Sequence, residues 1–61
     1  MAKITSKELS AISDLMSVEQ SMIAKYKAFA DQTEDSVLKN QYEQIAHRHQ
    51  RHLDQLYSNL K

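Results

Sequence analysis

The 61 residues include no cysteine, glycine, proline or tryptophan, and each absence removes a class of protein. Without cysteine there is no disulfide framework to staple a small fold. Without glycine there is no phosphate-cradling loop, and without glycine or proline the tight hairpin turns of all-β folds lose their usual residues. No apolar run exceeds three residues, Met22–Ile23–Ala24 being typical, which excludes a membrane span and a secretory signal. Lys plus Arg and Asp plus Glu number eight each. That leaves no surplus of cations for the phosphate contacts on which nucleic-acid binding rests. The expectation is a soluble helical chain made in the cytoplasm. At this length a lone hydrophobic core is marginal, so a metal or a partner chain is needed in place of disulfides.

What is present reads as two helices. Thr5 and Glu8 stand three apart as a capping box, flanked by Ile4 and Leu9 at the spacing of a hydrophobic staple. From there Leu9, Ile12, Met16, Glu19, Ile23, Tyr26 and Ala30 recur at steps of three and four, the seam of a helix facing another helix. Leu15, Met22 and Phe29 widen that face. The pattern breaks at Asp31–Asp35, where Thr33 is the expected N-cap of the second helix and Glu34 and Asp35 suit its positive end. A second seam runs through Leu38, Tyr42, Ile45, His49, His52 and Leu56, widened by Ala46, Leu53 and Leu60. The expected boundaries are helix one at about 6–30, a turn at 31–34 and helix two at about 35–60. So short a turn makes the pair an antiparallel hairpin. Tyr26 and Tyr42 are expected to meet near the turn, and Leu9 and Ile12 to meet Leu56, Tyr57 and Leu60 at the open end.

A hairpin has one layer of contact, and each apolar face here is wider than a single partner helix can cover. Two hairpins packed face to face close a four-helix core, and two-fold symmetry is the commonest way to do so. The fold expectation is therefore all-α: an antiparallel two-helix hairpin that dimerises, through the apolar faces of both helices, into a four-helix bundle.

Three polar residues fall inside those faces. Glu19 lies near the middle of the first apolar arc, His49 near the middle of the second, and His52 on the same side. Counted outward from Thr33, all three sit at similar heights in an antiparallel pair, and a dimer gathers two copies of each around one axis. A carboxylate in a core is costly unless it is paired, hydrogen-bonded or bound to metal. Carboxylate plus imidazole suits Zn, Fe, Mn, Ni or Cu, and His49 and His52, three apart, leave one side of their helix a turn apart. Two readings follow: a metal site made by Glu19, His49 and His52, or a dry hydrogen-bonded network that sets register and pairing. His47 projects outward with Glu43 four residues earlier, as a solvated surface pair.

These residues resemble a known family. The stretch EQSMIAKYKAFA, Glu19 to Ala30, looks like the first helix of rubrerythrin and other ferritin-like proteins, where a ligand Glu is followed by Tyr seven residues on and then by an aromatic–Ala pair. The stretch IAHRHQRHLDQL, Ile45 to Leu56, lines up with the second helix, which carries Glu-x-x-His. On that resemblance Glu19 matches the first-helix ligand, His52 the motif's His, and His49 stands where the motif has Glu. The likeness spans nearly the whole chain as one half of a ferritin-like bundle. With Asp14–Leu15–Met16, Lys25–Tyr26 and His49–Gln50 it looks closer still to small CotF-like spore coat proteins of spore-forming bacteria. It implies a ferritin-like homodimer, a coat location, and contacts with other coat proteins or a higher assembly. Because His49 replaces a carboxylate, a dimer offers two carboxylates rather than four, which argues against di-iron oxygen chemistry.

The leading expectation is thus a non-enzymatic structural protein, with no nucleic acid and no membrane among its partners. The competing one is a metal-binding ferritin-like protein holding a divalent transition metal, Zn or Fe, in an altered site at the dimer core, built from Glu19, His49 and His52 of both chains. The small-residue stripe Ser6, Ser10, Ser13, Ser17, Ser21, Ala24 and Ala28 reads as a solvated face, with dimer–dimer contact as its alternative.

Overall fold

The computed structural model describes residues 4–60. Two helices, α1 (Ser6–Gln32) and α2 (Ser36–Ser58), pack against each other along their length, and no strand occurs among the described residues. Their 27 and 23 residues are each roughly 35–40 Å long at 1.5 Å per residue. The resulting rod measures 47 × 16 × 10 Å across its Cα atoms.

The capping box forms as the spacing of Thr5 and Glu8 predicts. The Glu8 amide donates to Thr5 Oγ1 at 3.1 Å, and the Thr5 amide donates to Glu8 Oε1 at 3.2 Å. The Thr5 hydroxyl also donates to that oxygen at 2.9 Å. These donors favour the ionised form, so the hydroxyl first and the amide second hold the Glu8 carboxyl below its ordinary value of 4.5.

The turn differs from expectation in a way that explains how it dispenses with glycine. α1 runs two residues further than predicted, and Thr33 closes it: the Thr33 amide donates to the Phe29 carbonyl at 3.0 Å. Asp35, not Thr33, caps α2, its Oδ1 accepting from the Val37 and Leu38 amides at 2.8 and 3.0 Å. Thr33 Oγ1 instead accepts from the Asp35 amide at 3.2 Å. A carboxylate satisfies two orphan amides from one oxygen, and this outcompetes the hydroxyl two residues upstream. Thr33 and Asp35 are both extended, at φ −77° and −83°, and no described residue has positive φ. The chain reverses through the β region, where any L-residue is at ease. Lys39 completes the junction, its Nζ donating to the Ala30 carbonyl at 3.0 Å, a cation at the negative end of α1.

Contacts step away from the turn in antiparallel register: Ala30 with Lys39, Tyr26 with Tyr42, Glu19 with His49. Most of the predicted seam lines the interface, but its outer members Leu9 and Leu38 are exposed. Ile23, Ala30 and Ala46 are buried, while Ile12, Met16, Tyr26, Tyr42, Ile45, Leu53 and Leu56 are partly shielded. α2 stops two residues short of the expected end. Its last turn tightens, the Asn59 amide reaching Leu56 O at 3.2 Å and the Leu60 amide reaching Tyr57 O at 3.0 Å. No helix of the described residues is long and apolar enough to cross a membrane.

Two outcomes test this account. Asp35→Ala should cost about 1 kcal/mol of stability and Asp35→Asn much less, measured by thermal melts followed by circular dichroism. Because Glu8 is depressed, its contribution is present above the ordinary carboxylate range and is lost as pH falls through its lowered value. The protection factors of the first-turn amides of α1, corrected for intrinsic exchange, should therefore fall below about pH 4.5, and Glu8→Ala should remove that acid-dependent step.

Candidate metal centre

The centre is assembled from both helices at mid-height. Glu19 sits on the inward stripe of α1 between Met16 and Ile23, so its carboxylate enters the seam and is only 15 % exposed. His49 lies opposite on α2, with its side chain 21 % exposed. Its Nδ1 stands 2.9 Å from Glu19 Oε2 and 3.2 Å from Oε1. Carboxylate oxygens accept, so Nδ1–H of His49 donates. His52, one turn further along α2, turns its own Nδ1 to the same Oε2 at 3.4 Å. One oxygen thus faces two imidazoles.

Sequence spacing predicts that Glu19, His49 and His52 meet, and they do. Burial of His52 is less complete than expected: its side chain is 49 % exposed. The reason is angular. At 3.6 residues per turn His49 falls close to the centre of the α2 seam, whereas His52 lies roughly 60° to one side and emerges at the rim of the hairpin. His47 faces away from the centre and is exposed together with Glu43, both bordering a shallow groove with Lys27, Ala46 and Gln50.

The neighbours of His49 are aromatic. Tyr26 stacks on its ring, centroids 6.2 Å apart and planes 8° from parallel, and His52 meets it edge-on at 5.6 Å. Tyr26 continues into a cluster toward the turn, 6.1 Å from Tyr42 and 5.7 Å from Phe29, with Phe29 5.4 Å from Tyr42. Lys25 Nζ lies 5.6 and 5.9 Å from the Tyr26 and Phe29 ring centroids. These rings restrict the His49 imidazole to one plane, which keeps Nδ1 aimed at Glu19. The seven-residue step from Glu19 to Tyr26 puts the tyrosine above the carboxylate. That it would brace a histidine on the other helix follows only from the interhelical register.

A ligand atom from each of the three residues lies within 4.8 Å of the other two. Donors on a tetrahedral zinc ion, each about 2.0–2.1 Å from it, stand about 3.4 Å apart. The Oε2–Nδ1 separations of 2.9 and 3.4 Å lie at or below that edge, and the three ligand atoms lie within 4.8 Å of one another, so the side chains would shift to admit an ion. Two imidazoles and one carboxylate are suitable donors for Zn or Fe and leave coordination positions open. Entry at Nδ1 would require His49 to carry its ring proton on Nε2 instead, a change of tautomer. Without an ion the same atoms form a satisfied hydrogen-bonded pair, and no described side chain is left with a buried unpartnered polar atom.

In metal-free buffer, a double-mutant cycle on Glu19→Ala and His49→Ala should give a coupling of about 1–2 kcal/mol by chemical denaturation. The cycle on Glu19→Ala and His52→Ala should fall well below that, since His52 is longer in contact distance and half in water.

Comparison with known proteins adds no relative to this description. No protein-family model matches the chain, and neither a curated protein nor a solved structure matches it.

Proposed function

We propose that this protein is a non-enzymatic, metal-binding helical protein of ferritin-like design, a homodimer in which each chain holds a divalent transition ion, zinc or iron, through Glu19, His49 and His52. One observation carries the reading: the two imidazoles converge through Nδ1 on a single shielded carboxylate, at 2.9 and 3.4 Å. A carboxylate placed only to fix helix register needs one partner, and the hydrogen bond from His49 supplies it. The second imidazole at the same oxygen is what a ligand set requires.

The second reading is the structural one, a coat-type homodimer in which the Glu19–His49 pair is a dry register lock. It is favoured by the bond already closed between Nδ1 and both carboxylate oxygens, at 2.9 and 3.2 Å. Association with other coat proteins, and deposition in a spore coat after cytoplasmic synthesis, belong to this reading.

Metal analysis of untagged protein, purified without added metal, separates the two. The metal-binding reading expects stoichiometric zinc or iron, lost in Glu19→Ala and His49→Ala while helicity by circular dichroism is kept. Metal-free protein that also fails to take up zinc by calorimetry would leave the register lock.

A further inference from the structure

The two broad faces of the hairpin differ in chemistry, and the open edge of the Glu19–His49–His52 centre lies on the apolar one. At about 100° per residue, Leu15, Met22 and Phe29 form a row on one flank of the α1 seam, and Leu38, Ile45 and His52 form a row on the corresponding flank of α2. Both helices are right-handed and they run antiparallel, so rows displaced in the same angular sense emerge on the same side of the pair. The opposite rows show this directly: Lys27 of α1 borders one groove with Glu43, His47 and Gln50 of α2. That second side carries the Ser13–Ser17 stripe with Lys27, Glu43 and His47, and its exposed apolar residues, Leu9 and Tyr57, lie toward the open end. The first side exposes Leu15 by 52 %, Phe29 by 39 % and Leu38 by 40 %, with His52 49 % exposed among them.

We propose that a second copy of this chain docks on the Leu15–Met22–Phe29/Leu38–Ile45–His52 face and closes the His52 edge of the metal centre, so that ion binding and dimerisation strengthen one another. The proposal rests on the metal-binding reading above and adds to it the face that pairs and the coupling.

Three observations select a second copy as the occupant. The hairpin exposes 4845 Å², roughly 750 Å² more than the about 4,100 Å² expected of a folded monomer of 7.1 kDa, an excess close to the roughly 800 Å² per partner of a stable interface. Only Ile23, Ala30 and Ala46 are buried among the described residues, so the lone hairpin lacks the core that the packing of an identical face would create. A row of aliphatic and aromatic side chains with few charges is also self-complementary under two-fold rotation, the commonest symmetry of homo-oligomers. Seating the copy removes water from the rim where His52 stands. Ordering His52 toward Glu19 favours the ion, and by reciprocity the bound ion favours the dimer by the same factor.

The test uses sedimentation equilibrium on the full chain, metal-free and with saturating zinc. Zinc should tighten the dimer by about tenfold or more, and His52→Ala should abolish that tightening. Leu15→Glu should weaken the dimer by about a hundredfold, while Ser13→Glu, two residues away on the polar side, should change it by less than about threefold. If Leu15→Glu proves unfolded, nitroxide labels on Leu15→Cys and Ser13→Cys decide the face in the folded dimer, because the protein has no native cysteine. Pulsed electron resonance should give the shorter interchain distance for position 15. A monomer at millimolar concentration, or equal distances at the two positions, overturns the face assignment. Zinc that binds by calorimetry yet leaves dimer affinity unchanged overturns the coupling while sparing the metal site. Failure of zinc to bind removes the site reading, and the labelled variants still report on the interface.

Discussion

The shielded carboxylate of Glu19 constrains everything around it. It occupies the middle of the seam that joins the two helices, where an aliphatic side chain would otherwise continue the pattern of Met16 and Ile23. A carboxylate is tolerated there only because an imidazole on α2 meets it at hydrogen-bond distance. That demand sets the register of α2 against α1. Once His49 is opposite Glu19, Tyr26 falls against Tyr42 and Ala30 arrives at the level of Lys39. The aromatic cluster, the seam and the turn therefore agree with one polar contact, and each supports the same alignment.

The turn shows the economy with which a chain lacking glycine reverses direction. Its residues stay in the extended region, and the orphan groups of both helix ends are satisfied by Thr33, Asp35 and Lys39 rather than by a left-handed residue. This places the start of α2 close to the end of α1. The short connection holds the two halves of the centre in one chain, although 30 residues separate Glu19 from His49.

Much of the centre was legible in advance because helical periodicity is arithmetic. Steps of three and four put Glu19, His49 and His52 on inward faces, and counting from the break at Asp31–Asp35 put them at one height. The degree of burial was not legible in that way. His52 differs from His49 by one turn in height and by about 60° in angle, and only the packed pair shows that this angle reaches the rim. The cap of α2 is ambiguous in the sequence for a related reason. Thr33 and Asp35 are both good N-caps, and the choice between them depends on where α1 ends, which the Phe29 carbonyl decides by accepting the Thr33 amide.

The amino-acid sequence alone determined that this protein is helical, that it folds back once, and which side chains line the inner faces. Those follow from composition, capping signals and a period set by the geometry of one helix. Tertiary structure alone decided that a single carboxylate oxygen serves two imidazoles, that Tyr26 stacks on one of them, and that the centre opens toward the apolar side of the pair rather than the serine-rich one. These are relations between two helices. They depend on the register and handedness with which α1 and α2 pack, and neither can be read from the period of one helix taken by itself.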